Sequence, residues 1–414
     1  ARDAWLRRGR HARDACPDLG AWARERVAEQ LAPWAETGIT EDMVNHSRDY
    51  RPVWRTPGII RLKKEPGRKP QIYTKLLDIG TSAWVNYTRR AIDHWPFAPE
   101  ELQEFAVLAQ RGDFPMMLKT DPNAAPHLNA PLFTNANNGK FWEVTMPVSW
   151  RPQFGNDFAA KREEALRLAK SRPWRSRKSV AVWRGVIGCA TGCGPRGPAY
   201  FPNGTLQSCL DDKPASNWNA NAVGATWGCG DDAEGTHSTA WREHSRVKLV
   251  SSYAGARGER CGIDAAFHAF NMHGAWLRQR TTPGEMQSWM KDRMDDEETA
   301  KHKYVFHVGN NGYSDRSWRM FALGNLVLLV DNGWQEFYFP LLQPWVHYIP
   351  VQADAGDACE RVAWARAHPR KAERIAQNGR NFVEFCLTES FIDLYVAEMV
   401  RQLGRLWKLG KEKR

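Results

Sequence analysis

Residues 301–351, KHKYVFHVGNNGYSDRSWRMFALGNLVLLVDNGWQEFYFPLLQPWVHYIPV, decide how the chain is read. Tyr304–Val308 is a short apolar run, and Gly309-Asn310-Asn311-Gly312 breaks it with residues that tolerate positive φ. Ser314 then offers an N-cap to a helix whose Trp318, Phe321 and Leu323 lie towards one side and which Gly324 closes. Leu326–Val330 reads as a second buried strand and Val346–Val351 as a third. Strand, glycine loop and helix together aim backbone N–H groups and a helix N-terminus at one point, which suits a phosphate. Arg316 falls in the first helical turn, where a cation is unfavourable unless an anion is near. The competing reading is an arginine that points into water.

Working outward, strands alternate with helices, which argues for parallel sheets and an α/β fold. Residues 4–36 are helix-forming, and Ile59–Leu62 and Gln71–Thr74 flank a turn as a β-hairpin. Pro99–Arg111 reads as a helix and Phe114–Lys119 as a strand ending at Thr120-Asp121-Pro122. Lys161–Lys170 is a charged helix, and Val180–Trp183 a strand running into Arg184-Gly185. From about 189 to 244 the chain is dense in Gly, Asn, Asp and Cys with little periodicity. Arg246–Tyr253 resumes regular structure, and residues 359–378 and 389–407 are helical.

The 414 residues suffice for two domains, and no apolar run is long enough to span a membrane. The sequence starts at Ala1 rather than Met, which leaves room for an upstream signal or membrane anchor. The net charge of +11 attracts anions. The basic residues are spread out and carry no nucleic-acid-binding signature, so no nucleic-acid partner is expected. Eight cysteines, four of them (Cys189, Cys193, Cys209, Cys229) within the irregular segment, point to disulfides in an oxidising compartment. A zinc site is the competitor, but paired C-x2-C spacing is missing. Sequons stand at Asn45, Asn86 and Asn203.

The run Gly333–Val351 resembles the C-terminal signature of glycosyltransferase family 90, which includes Rumi-type protein O-glucosyltransferases and capsule-associated xylosyltransferases. Lys303, Tyr304, Phe306, Gly312, Ser314, Arg316, Phe321, Gly324, Val327, Trp334, Glu336, Phe337, Pro340 and Trp345–Val351 follow its order. The resemblance implies a GT-B-like α/β architecture of two Rossmann-like domains facing a cleft, with a Cys-rich insert at about 189–244. The expected domains are an acceptor side at 1–165 and a UDP-sugar-binding side at 166–379. A C-terminal helix, about 380–414, would pack back on the first.

It implies residue roles as well. Phe114–Thr134, FPMMLKTDPNAAPHLNAPLFT, is similar to the segment carrying the catalytic base, which falls on Asp121. Asp121 and Pro122 are adjacent here, one residue closer than in the family. Without that resemblance the local sequence favours reading Asp121 as an Asx-turn residue before a loop. Trp183-Arg184-Gly185 looks like the family's strand-end element, with Val186 where a Ser or Thr is usual. Arg246 is similar to the arginine that reaches the nucleotide diphosphate, although about sixty residues separate it from Gly185. Asn311, Gly312, Tyr313, Ser314, Asp315 and Arg316 would complete the nucleotide-sugar site. Glu336 would either meet a ribose hydroxyl or cap the next helix. His347 reads as a core histidine.

The expected function is an inverting transfer from a UDP-sugar, carrying glucose or xylose, to a hydroxyl on a protein or glycan acceptor. The alternative is a catalytically silent nucleotide-sugar- or glycan-binding protein on the same fold. No D-x-D stands at a strand end, so no metal or other cofactor is expected. The setting would be the Golgi or ER lumen.

Overall fold

The computed structural model describes residues 16–49, 58–75, 82–109, 117, 119, 122–137, 139, 141–147, 158–187, 245–270, 281–309, 314, 316–331 and 333–408. These residues form two compact units, each containing one five-stranded sheet.

The first unit takes in residues 1–158, Gln335–Tyr338 and Phe385–Arg414. It opens with helix α1 (Leu19–Leu31), whose N-cap Asp18 accepts from the backbone of Gly20 and Ala21, and α2 (Glu41–Asp49). Strands β1 (Gly58–Lys63) and β2 (Gln71–Lys75) form the expected antiparallel hairpin. Helix α3 (Ser82–Asp93) leads to β3 (Phe105–Ala109), followed by β4 (Leu132–Thr134) and β5 (Val144–Thr145). The sheet order is β2-β1-β3-β4-β5, antiparallel across the first two pairs and parallel across the last two.

Here the helix expected over Pro99–Arg111 is corrected. Pro99–Glu101 makes only a 3-10 turn, Leu102 is extended, and Phe105–Ala109 is the central strand. All five of its residues are buried between β1 and β4, so sheet neighbours override a pattern that also fits a helix.

The second unit takes in Ala159–Trp334 and Phe339–Glu384. Helix α4 (Phe158–Ser171) precedes β6 (Lys178–Ile187), which runs on through Arg184-Gly185 rather than ending there. Next come α5 (Ser245–Tyr253), α6 (Ala256–Cys261), β7 (Ile263–Phe270), α7 (Pro283–Trp289) and α8 (Asp296–Ala300). Then β8 (His302–Val308), α9 (Ser317–Ala322), β9 (Leu326–Val330) and β10 (Ile349–Val351) complete the sheet. Helices α10 (Ala358–Ala367) and α11 (Pro369–Asn381) divide at His368, as a following proline requires.

All four pairings in the order β10-β9-β8-β6-β7 are parallel. Phe306, Val308, Leu326, Leu328, Val330 and Ile349 form its near-solvent-free core. Two local expectations are corrected. The helix after β8 starts at Ser317, so Ser314 contributes its backbone carbonyl to Ser317 N–H rather than a side-chain cap. The third strand is confined to Ile349–Val351, because Trp345–His347 turn, with Trp345 at φ 65°.

The chain then returns to the first unit as α12 (Glu389–Leu406), capped by Thr388 and lying on α1 and α3. Its Phe391 and Tyr395 meet Phe337 at ring separations of 6.1 and 5.0 Å. Many of the tryptophans fill these two cores, Trp34, Trp84, Trp183 and Trp318 being almost fully buried.

Disulfides join Cys16 to Cys386 and Cys261 to Cys359. The four cysteines of 189–244 lie outside the described residues, as does most of the strand expected at 114–119. Among the described residues no helix is long and apolar enough to cross a membrane.

The Cys261–Cys359 bond closes a loop of 98 residues. Replacing both cysteines by alanine removes that constraint from the unfolded chain and is expected to cost about 2–5 kcal/mol. The check is the urea midpoint of the unfolding step; an unchanged midpoint would show that the core alone holds α6 to α10.

Candidate functional site

In the second unit β6 is flanked by β7 on one side and β8 on the other, so the winding of the chain reverses between β6 and β8. Ligands of open parallel sheets bind beyond the carboxyl ends of the strands at that point. The carboxyl end of β6 also carries a register shift between Gly185 and Val186, an irregularity of the kind that re-aims side chains near sites.

Arg246, in the first turn of α5 and 4% exposed, ties these ends together. Its guanidinium donates to Val186 O at 2.9 Å, Gly309 O at 3.1 Å and Val308 O at 3.2 Å. It also lies 5.6 Å from the ring centroid of Trp183. Arg316, at the N-cap position of α9, donates to Arg184 O at 2.8 Å. A cation at that end of α9 is opposed by the backbone dipoles, though a six-residue helix makes the opposition small.

Arg184 has a different commitment. It donates to Asp264 Oδ2 at 2.8 Å, to Asp264 O at 2.8 Å and to Asp292 O at 3.2 Å. Burial pushes the Asp264 carboxyl up, but hydrogen bonds from Arg184 and Lys291 outweigh it and hold the carboxyl below its ordinary value. Arg184 thus fixes the floor of the site. Gly185 has an internal reason as well: a Cβ there would stand 2.4 Å from Trp183 Cζ2, too close for any other residue without a shift.

Two histidines border these arginines. His268 on β7 bonds the Gly185 backbone, yet burial and the nearby Arg316, Arg293 and Arg246 lower its pKa. His307 on β8 is pushed down to about 3 by burial, then by Arg246 and Arg316. In both, burial is the main cause of the lowered pKa, and the nearby arginines push it the same way. A cavity of about 580 Å³ adjoins the switch point, with Lys161, Val182, Arg184, Arg293, Asp296 and Arg316 among its walls. Burial raises the Asp296 carboxyl there, although Arg319 opposes the shift.

The structure therefore brings together Arg184, Gly185, Arg246 and Arg316, with Ser314 buried on the loop before α9. Glu336 belongs to the first unit, where it is 3% exposed beside Phe337. Asp121, Asn311, Gly312, Tyr313 and Asp315 lie outside the described residues. Sequence reasoning missed Asp264, His268 and His307. The signal was present in Ile263–Phe270, where Asp264 and His268 alternate with apolar residues on one strand face. His347, expected in the core, is half-buried; its Nδ1 accepts from Gln343 N–H, and burial lowers its pKa.

Residues 267–414 match the family model described as Glycosyl transferase family 90. Protein O-glucosyltransferase 1 of Rattus norvegicus is 35% identical over 109 residues, covering 26% of this chain and 27% of the rat protein. The human protein of the same name is 30% identical over 131 residues, 32% of this chain and 33% of its own length. Uncharacterized protein 035R of Invertebrate iridescent virus 3 is 27% identical over 190 residues, 44% of this chain and 16% of the viral protein. The chain thus spans at most a third of the length of these relatives.

His307 offers a test of its buried, cation-flanked setting. Above pH 6.5 the group is neutral in both folded and unfolded chains. As pH falls below 6.5 only the unfolded chain takes up the proton, so stability drops until about pH 3. The loss reaches up to about 1.4 kcal/mol per pH unit within that window. Because His307 Nδ1 has no hydrogen-bond partner among the described residues, His307→Leu should be tolerated at pH 7 and should flatten the acid limb of the stability curve. Denaturant midpoints between pH 4 and 7 check this; parallel curves for the two proteins would contradict the assignment.

Proposed function

We propose that the protein is an inverting, metal-independent glycosyltransferase of GT-B type, transferring glucose or xylose from a UDP-sugar to a hydroxyl of a protein or glycan acceptor. The observation that carries the reading is the convergence of Arg246, Arg316 and Arg293 on the β6–β8 switch point of a family 90 sequence. A cluster of cations at the carboxyl ends of a parallel sheet suits a diphosphate.

In this reading Asp121 accepts the proton of the acceptor hydroxyl as its oxygen attacks the anomeric carbon. The bond from that carbon to the diphosphate oxygen breaks on the opposite face, which inverts the centre. Charge that builds on the departing UDP is met by Arg246 and Arg316, held beforehand by hydrogen bonds to backbone carbonyls. Fixed arginines thus take the part that a divalent cation plays in other transferases. The two disulfides suit an oxidising compartment, in keeping with a Golgi or ER lumen.

The test is release of UDP from a panel of UDP-sugars in the presence of EDTA, with Asp121→Asn alongside. Turnover of one donor is expected, reduced ~10²–10⁴-fold in the variant, while UDP still raises the melting temperature of both proteins. Release only on adding a divalent metal would overturn metal independence. Equal turnover in Asp121→Asn would remove that residue from the reaction. No release and no thermal shift with UDP would remove the donor site itself.

A further inference from the structure

Asn86-Tyr87-Thr88 is an N-x-T sequon on helix α3 of the first unit. Ala83, Trp84, Tyr87, Thr88 and Ala91 turn inward, whereas Asn86 and Arg89 are exposed. Asn86 Oδ1 accepts from Arg89 at 3.1 Å, which leaves the amide nitrogen towards solvent. Arg90, on another side of the helix, pairs with Asp393 and Glu389 of α12. A large polar group on Asn86 therefore displaces no core contact.

Thr88 is in the opposite position. It is 1% exposed, and its hydroxyl donates to Trp84 O at 2.7 Å. Oligosaccharide transfer to a sequon requires the threonine hydroxyl to be presented beside the asparagine in a non-helical chain. The folded helix forbids that; only the unfolded chain allows it. The sequon at Asn45 shares an enclosed hydroxyl, Ser47 Oγ donating to Met43 O and accepting from Ala130 N–H, but differs in that Asn45 itself is half-buried.

We propose that Asn86 carries an N-linked glycan, attached before α3 folds, in the compartment that also forms the Cys16–Cys386 and Cys261–Cys359 bonds. The co-substrate is an oligosaccharide joined to a polyprenyl diphosphate. The amide nitrogen of Asn86 forms a bond to the anomeric carbon and gives up one proton to a base. The bond between that carbon and the diphosphate oxygen breaks, and polyprenyl diphosphate leaves. The inference is independent of the transferase reading, because it rests on exposure, the sequon and the disulfides.

The test uses the full chain secreted from a eukaryotic host and treated with an amidase that releases N-glycans and leaves aspartate behind. Mass spectrometry is expected to find Asp at position 86, and Asn86→Gln to lose that glycan while keeping its thermal stability. Asn45→Gln is expected to leave occupancy at 86 unchanged. Unmodified Asn86 in the secreted protein would overturn the proposal. A second arm incubates microsomal membranes with the folded, glycan-free protein and with the same protein reduced and unfolded. Modification of the unfolded chain alone is expected. Equal modification of the folded protein would overturn the order of events, and none in either would overturn the site.

Discussion

Arg246 is the constraint on which the second unit's site depends. Parallel strands leave their last carbonyls unpaired at the switch point, and one buried guanidinium accepts the task of satisfying Val186, Val308 and Gly309 together. A buried polar group left without a partner costs about 1–3 kcal/mol, so three shared bonds are a strong reason for the arginine to stay in place. The same bonds fix a full positive charge where the sheet would otherwise present only carbonyl oxygens.

Around that charge the remaining groups fall into order. Arg184 is satisfied by Asp264 and so holds β6 to β7, leaving its own carbonyl to receive Arg316. Trp183 lies under Arg246 and against the bare Cα of Gly185, which explains the glycine without reference to any ligand. Structure and function share these residues: the contacts that shape the strand ends are the ones that gather the cations.

Much of the second sheet was legible in the sequence because its signals are local. Tyr304–Val308 and Leu326–Val330 are unbroken apolar runs, and Gly324 sits at φ 70° just past α9, where a helix ends. The β1–β2 hairpin was legible for the same reason. What was not legible depends on distant partners. Phe105–Ala109 became a strand because β1 and β4 flank it. Arg184 found a partner eighty positions away, and Cys16 pairs with a cysteine 370 residues on. Arg316 was correctly singled out as a misplaced cation, yet its setting differs: it precedes the helix instead of lying within it. Glu336 was read with its sequence neighbours, whereas Gln335–Tyr338 belongs to the other unit.

The central claim is that the switch point of the second sheet is built for a diphosphate, and calorimetric titration with UDP and with uridine tests it most directly. The account predicts that UDP binds ~10²-fold or more tightly than uridine, in keeping with charge-assisted hydrogen bonds worth about 1.5–3 kcal/mol each. Arg316→Gln should remove most of that advantage while leaving uridine unaffected. Equal affinity for the two ligands, or an advantage unchanged in Arg316→Gln, would contradict it.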